Sequence, residues 1–333
     1  MNNKLVSKLI NISKNSVIIS GINHKVISFG NLNPKIYFYV IRQQSTGRGL
    51  FSLVSSVLCH IDIALKNNFI PIIDFENFQT VYNEGVIDGT SNSWEYYFHN
   101  ISNFKLDEVY ESKNVIFSSN QYPIGYDFSI TKEKKLYEIF YNYFKLKDSV
   151  INKLYEYQNL MGNHILGVHY RGQEMRTARG HWFPPSFDQI KFAINELTKA
   201  HDFQKIFIVT EDSNLLGSIK KEYGDIVIST NSFRTSGENA YKIYPRKNHL
   251  YNLGLEILID TILLSMSGGI VKCSSNVAEF ATFMNNDKYF CTATIDNGPN
   301  TRIWPLNYLL WSIKNMLPSD FYGFKNNNIV IKK

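Results

Sequence analysis

Cysteine is scarce: Cys59, Cys273 and Cys291 are the only three in 333 residues. They form no C-x-x-C pair and leave an odd one over. That argues against a disulfide framework or a structural zinc site, and points to a reducing compartment, the cytoplasm. No run of about 20 apolar residues occurs, so no membrane span is expected. The nearest stretch, Ile257–Val271, is interrupted by Asp260 and by Gly268-Gly269. The opening MNNKLVSKLINISKNSVIIS lacks an unbroken apolar segment and a small-residue cleavage site, so no signal peptide is expected. No G-x-G-x-x-G follows a strand pattern, and GRGLFS (Gly47–Ser52) lacks the third glycine, which argues against a nicotinamide-dependent dehydrogenase. Repeats and low-complexity blocks are absent. Charge of one sign is not concentrated either. Lys plus Arg number 35 and Asp plus Glu 29, a formal net charge of +6 spread along the chain. This suits an anionic small ligand or an anionic membrane surface and is too diffuse for nucleic acid.

Hydrophobic residues make up 44% and charged residues 19%, a globular composition with ample core material. The length suggests about two domains. A boundary is expected at 162/163, where a long helical pattern (Lys132–Met161) meets Gly162-Asn163 and a strongly apolar strand begins. In the first half, His24–Gly30, Lys35–Arg42, Ile70–Phe75 and Asn114–Ser118 read as strands, and Leu50–Asn67 as a helix. In the second half, strands at Ile165–Tyr170, Lys205–Thr210, Asp225–Ser229, Gly269–Cys273 and Tyr289–Thr292 alternate with helices at Ser186–His201, Ser213–Tyr223, Leu250–Ser267 and Asn276–Met284. Apolar strands alternating with helices predict an α/β fold with a parallel sheet covered on both faces. Such sheets bind ligands beyond the carboxyl ends of their strands.

Three strand-end signals follow from that rule, with one buried acid on a neighbouring helix. GVHYRG places His169, Arg171 and Gly172 at the end of the first strand of the second half. An Arg there can grip a phosphate through two parallel hydrogen bonds, and Gly172 permits close backbone approach. VTED ends the next strand, where Asp212 reads first as the cap of the following helix and second as a ligand-facing acid. KCSSN puts Ser274 and Ser275 at a helix start, an arrangement that caps a helix and also binds anions. Asp260 stands among Ile257, Leu258, Ile259, Ile262 and Leu263. An acid buried there needs a partner, and a guanine base with its N1–H and exocyclic amine is one. The alternative is a position on the solvent side of the helix. In the first half, Arg48 and Gly49 lie in a Gly-flanked loop before a helix, and Asn92, Trp94 and Glu95 form an aromatic–polar cluster suited to sugar rings or to an ordinary core.

Together, GVHYRG, IFIVTED and LEILIDTILLSMSGGIVKCSSNVAEF resemble the C-terminal half of the GDP-fucose-dependent fucosyltransferases, nearest the α-1,6- and nodulation fucosyltransferases. The resemblance spans residues 165–285. It implies a glycosyltransferase-B fold, two Rossmann-like domains facing across a cleft. Here these are an acceptor-side domain at 1–162 and a nucleotide-sugar-binding domain at 163–333, whose tail can pack back on the first. By resemblance Arg171 holds the diphosphate, His169 lines the same strand end, Asp260 pairs with guanine, and Ser274 and Ser275 bind phosphate oxygens. The family's H-x-R-R-x-D departs here to Gly172 and Glu174, and MRTARGHWFPP carries no acid where the family's proposed base stands. The sugar is therefore fucose or a related one, and Glu174, His181 and, more remotely, Glu95 are the candidate bases. No D-x-D is present; Asp74-Phe75-Glu76 is the nearest approximation, so no metal and no other cofactor is expected.

The implied reaction is inverting transfer from a GDP-sugar to a saccharide acceptor in surface polysaccharide (capsule) biosynthesis by a bacterial enzyme. The alternatives are transfer from a different nucleotide-sugar, or a nucleotide-binding protein that has lost catalysis. The tail FKNNNIVIKK is basic; a frayed end is the default, and recruitment to the inner membrane face the alternative.

Overall fold

The computed structural model describes residues 16–19, 21–43, 45, 47–119, 122, 123, 125, 126, 134–160, 162–325 and 328–333. Most of the N-terminal stretch inspected for a leader, and residues 132, 133 and 161 of the long helical pattern, lie outside the described residues. Two compact units emerge, Met1–Asn152 with Arg246–Leu255, and Lys153–Pro245 with Glu256–Lys333.

The first unit holds a hairpin, β1 (Ser16–Ile19) with β2 (Ile22–Lys25), and a parallel sheet in the order β4 (Ile70–Asp74), β3 (Leu32–Arg42), β5 (Ser112–Phe117). The strands are apolar on both faces, and Phe38, Val40, Ile72 and Val115 form one core cluster with Val109. Helix α1 (Leu50–Lys66) joins β3 to β4 and is buried along nearly its whole length, which is why its sequence is apolar almost all round. Its one buried acid, Asp62, is paired with Lys66 and Lys135, each at 2.8 Å. Three further helices follow, α2 (Leu106–Val109), α3 (Lys134–Tyr143) and α4 (Asp148–Tyr155).

The expected single helix of 132–161 is therefore broken between Phe144 and Lys147. The backbone there leaves the helix to pair with an earlier turn: His99 N–H donates to Lys145 at 2.8 Å and Lys147 N–H to Tyr97 at 2.9 Å. Periodicity along one segment carries no sign of that distant partner.

The second unit is a six-stranded sheet in the order β11-β10-β9-β6-β7-β8, with β6 (Gly162–Tyr170), β7 (Lys205–Thr210), β8 (Val227–Ile228), β9 (Ser267–Cys273), β10 (Cys291–Ile295) and β11 (Ile329–Lys332). All neighbours are parallel except β11, which runs antiparallel to β10. Helices α5 (Phe187–Ala200), α6 (Ser213–Tyr223), α7 (His249–Ser265), α8 (Asn276–Asn285) and α9 (Leu306–Met316) complete it, the first turns of α7 grouping with the first unit.

Caps account for where these helices begin. Ser186 and Gln189 form a reciprocal capping box for α5, and the Asp212 and Ser275 side chains cap α6 and α8. Two expectations are corrected. The C-terminal tail is not frayed: 329–332 form an edge strand of this sheet, and Lys333 pairs with Glu196 at 3.3 Å. β10 starts at Cys291 rather than Tyr289, because Tyr289 N–H is held by Asn285 Oδ1 at the end of α8.

Two glycines test the packing. A Cβ at Gly268 in β9 would lie 2.0 Å from the Asn163 carbonyl oxygen of β6, whereas one at Gly217 on exposed α6 meets nothing within 4 Å. Gly268→Ala is expected to destabilise by about 2 kcal/mol or more. Gly217→Ala is expected to stabilise by about 0.5–1 kcal/mol. Urea denaturation of both variants checks the pair; equal and opposite-to-expected shifts would refute the assigned register.

Candidate functional site

From β6 the chain moves outward to β7 and β8 on one side, then returns to β9 and continues outward to β10 on the other. β6 and β9 are thus the neighbours between which the strand order reverses, the point where sheets of this kind take a ligand beyond their carboxyl ends. The residues delivered there are Arg171 and Gly172 from β6, and Ser274 and Ser275 from β9 at the start of α8.

Ser275 does two things at this point. Its Oγ accepts from Ala278 N–H at 3.1 Å, and it lies 3.4 Å from His169 Nδ1. Burial, with Arg171 and Lys272 adding positive charge nearby, pushes the His169 pKa down to about 3, so the ring is neutral at physiological pH. His169 is a buried, uncharged ring at the end of β6. The half-buried Arg171 is its nearby cation, and the same charge acts on His181, Glu211 and Cys273.

Glu211 is the residue that sequence reasoning missed. It ends the β7 run, and its Oε1 accepts from Gly172 N–H at 3.1 Å. The fit is close: a Cβ on Gly172 would lie 2.5 Å from that oxygen and 2.7 Å from Glu211 Cγ. Gly172 is needed for this approach rather than for an unusual backbone angle. Burial and the neighbouring Glu174 raise the Glu211 pKa above the ordinary carboxylate value, and Arg171 works against them. Glu174, Glu211, Asp212 and Glu238 line one small pocket. The signal was present in VTED, where attention falls on the capping Asp212 instead.

Asp212 is buried, and its Oδ1 accepts from Asn214 and Leu215 N–H at 2.9 and 3.1 Å. That is the cap expected of it. Glu174 and His181 are exposed on the loop after β6. The surroundings of His181 and the charge of Arg171 lower its pKa, which favours the neutral ring.

Asp260 is 3% exposed on α7, not on a solvent face. Thr230 Oγ1 donates to its Oδ1 at 2.5 Å and Ser232 Oγ to its Oδ2 at 3.0 Å. Arg234 braces the same loop through the Thr230 and Ser232 carbonyls, at 3.1 and 2.7 Å. Two of the roughly four acceptor positions of the carboxylate are thus taken from within the protein.

The first-half candidates lie in the first unit. Trp94, expected as a sugar platform, is 3% exposed and stacks on Phe98 with centroids 4.5 Å apart, with Phe144 edge-on at 5.1 Å. It is a core side chain, and burial removes the face a sugar would need. Glu95 accepts from Thr90 Oγ1 at 3.0 Å within its own turn. Arg48 folds back on the start of α1, donating from Nε to Ser52 Oγ at 3.2 Å. Gly49 is the N-cap of α1 with φ −67, and open space where a Cβ would be, so nothing there requires glycine.

Among the described residues, no group of three or more His, Cys, Asp or Glu side chains is placed to hold a metal ion. No helix among them is long and apolar enough to cross a membrane.

Among solved structures, a NodZ α-1,6-fucosyltransferase co-crystallised with GDP is similar at 15% identity and a TM-score of 0.51, over 79% of this chain and 96% of that one. A fucosyltransferase NodZ from Bradyrhizobium is similar at 14% identity and a TM-score of 0.50, over 80% and 98%. The chain has their fold. This is the α/β glycosyltransferase-B class anticipated from the strand-end motifs. No family model matches the sequence, and no curated protein matches it.

The Asp260 cluster has a measurable consequence. Burial pushes its pKa up to about 6, against the hydrogen bonds from Thr230 and Ser232 and the charge of Arg234. Between an unfolded value of about 3.9 and this one, the native state binds more protons than the unfolded chain. Stability therefore falls as pH rises through that window. In urea denaturation, Asp260→Asn is expected to gain on the wild type between pH ~4 and ~6.5 and to keep a constant offset above. A constant offset throughout would contradict the assignment.

Proposed function

We propose that the chain is a glycosyltransferase that moves a sugar, fucose or a related one, from a GDP-sugar to a saccharide acceptor. The observation that carries this is the meeting of Arg171-Gly172 with Ser274-Ser275 at the point where the strand order reverses. A diphosphate there would receive the Arg171 guanidinium and the amides at the start of α8, beside the neutral His169 ring. In transfer, the acceptor oxygen forms a bond to the anomeric carbon while the bond from that carbon to the phosphate oxygen breaks. GDP departs, and the acceptor proton passes to a base. Attack from the face opposite the leaving group inverts the centre. Arg171 and the α8 start would stabilise the departing charge, so no metal is required by this assignment.

For the base, the candidates near Arg171 are the carboxylates Glu174 and Glu211, and burial raises the proton affinity of Glu211. His181, held towards its neutral form, is the imidazole alternative. Glu95 is occupied with Thr90 and is not needed. Asp260 would read guanine through its remaining acceptor positions. Cytoplasmic action on surface polysaccharide, at the inner membrane face, completes the proposal.

A different nucleotide-sugar is the second reading, favoured by Gly172 and Glu174 at positions where the resembling family has Arg and Asp. Thermal melting with GDP, UDP, CDP, dTDP and ADP, with and without EDTA, separates the two. At about 100 times its Kd the right nucleotide adds about 2.7 kcal/mol. We expect a GDP-selective gain that survives EDTA and is lost in Arg171→Ala. Selectivity for another base overturns the donor, and no gain with any nucleotide favours a protein without a donor site.

The base assignment predicts a pH profile. Deprotonated Glu211 is the active form, so the rate rises with pH through its raised pKa. Glu211→Gln is expected to lose that limb along with about 10²-fold or more of the rate. The same limb persisting in the variant would rule Glu211 out.

A further inference from the structure

Helix α9 exposes the kind of surface that is usually buried. Ten of the 22 exposed large hydrophobic side chains among the described residues fall between Ile303 and Tyr322. On the helix itself Leu306, Leu309, Ile313 and Met316 follow i, i+3, i+7, i+10 spacing, so they form one stripe. They are 47%, 57%, 44% and 66% exposed. Trp304 precedes the stripe and Tyr322 follows it, 65% and 85% exposed.

The opposite face of α9 is fixed to the loop that follows Arg171. Asn307 Nδ2 donates to the Thr177 carbonyl at 2.7 Å and Trp311 Nε1 to the Pro184 carbonyl at 3.0 Å. The Arg176 guanidinium lies over the Trp311 ring at 4.1 Å. The stripe is therefore rigidly connected to the segment carrying Glu174 and His181.

We propose that the outer face of α9 docks on an anionic lipid surface. An exposed apolar stripe with Trp and Tyr at its ends matches the boundary between acyl chains and headgroups, where amphipathic rings settle. The charge around it fits as well. Exposed Arg302 stands at its start against Gly180, and exposed Lys325 at its end, hydrogen-bonded through its backbone to Leu317 and Ser319. Asp320 is the one acid of 301–333. A second copy packed symmetrically on this face would set these cations against themselves, whereas anionic headgroups neutralise them. If the glycosyltransferase reading holds, docking brings the Arg171 loop to the bilayer, and the acceptor is a saccharide carried at the membrane.

The test uses the full chain with vesicles of zwitterionic lipid alone and vesicles containing anionic phosphatidylglycerol, read by co-sedimentation and by tryptophan fluorescence, without nucleotide. Binding to the anionic vesicles, weakened by added salt, is expected. Leu309→Ser/Ile313→Ser should reduce it by about tenfold or more. Arg302→Gln/Lys325→Gln, which leaves the apolar stripe intact, should reduce it on anionic vesicles alone. Melting temperature and GDP binding serve as folding controls. No binding to anionic vesicles, or unchanged binding in both variants, overturns the proposal. So does a wild-type dimer in light scattering that Leu309→Ser/Ile313→Ser makes monomeric. Because the readout needs no donor, loss of the lipid result leaves the transferase reading standing, and loss of GDP binding leaves the docking result standing.

Discussion

The pairing of β6 with β9 is the constraint on which the second unit depends. Parallel neighbours need a crossover, and the crossovers from β6 lead away in one direction before the chain returns to build the other half of the sheet. Only at that seam do two loops diverge and leave the strand ends open. Val168 faces Val271 across it, so the segments that follow, Arg171-Gly172 and Ser274-Ser275, emerge together. Gly268 has no room for a side chain against β6, which holds the register. A basic residue, a neutral histidine and a helix start come together at these strand ends because β6 and β9 are neighbours.

The rest of the chemistry follows from how buried charge is managed. Asp62 is buried in the first unit with two lysines at 2.8 Å and remains an ion. Asp260 is buried with hydroxyl partners instead, and its proton affinity rises. Glu211 lies between these cases, pulled one way by burial and Glu174 and the other by Arg171. A carboxylate held like that binds a proton more readily than an ordinary one, whereas an acid held as Asp62 is serves to fix two helices. Position in the fold, more than residue type, sets how each of these acids holds its proton.

How much of this was legible in the sequence depended on whether the cause was local. Strands covered on both faces must be apolar throughout, so Lys205–Thr210 and Ser267–Cys273 stood out, the former to the residue. Caps are local too, and Asp212 and Ser275 announced their helices. The break after Tyr143 was hidden because it is made by Tyr97 and His99, far away in the chain. β11 is four residues at a sheet edge and carries too short a pattern to distinguish it from a tail. Trp94 reads as core or as a sugar platform in the sequence, because composition cannot tell a buried aromatic cluster from an exposed one. Asp260 was recognisable as an acid needing a partner, but Thr230 and Ser232 reach it through a loop that spacing does not predict. Glu211 was overlooked beside a stronger local signal, and only the β6–β7 pairing brings it against Gly172.

The central claim is that the β6–β9 seam receives the donor diphosphate. Amide hydrogen exchange of the full chain with and without saturating GDP tests it most directly. Slowed exchange in the amides of 171–175 and 274–279, with the 47–54 loop unchanged, is the predicted result. Protection confined to 47–54, or no protection at either strand end under conditions where GDP binds, would contradict it.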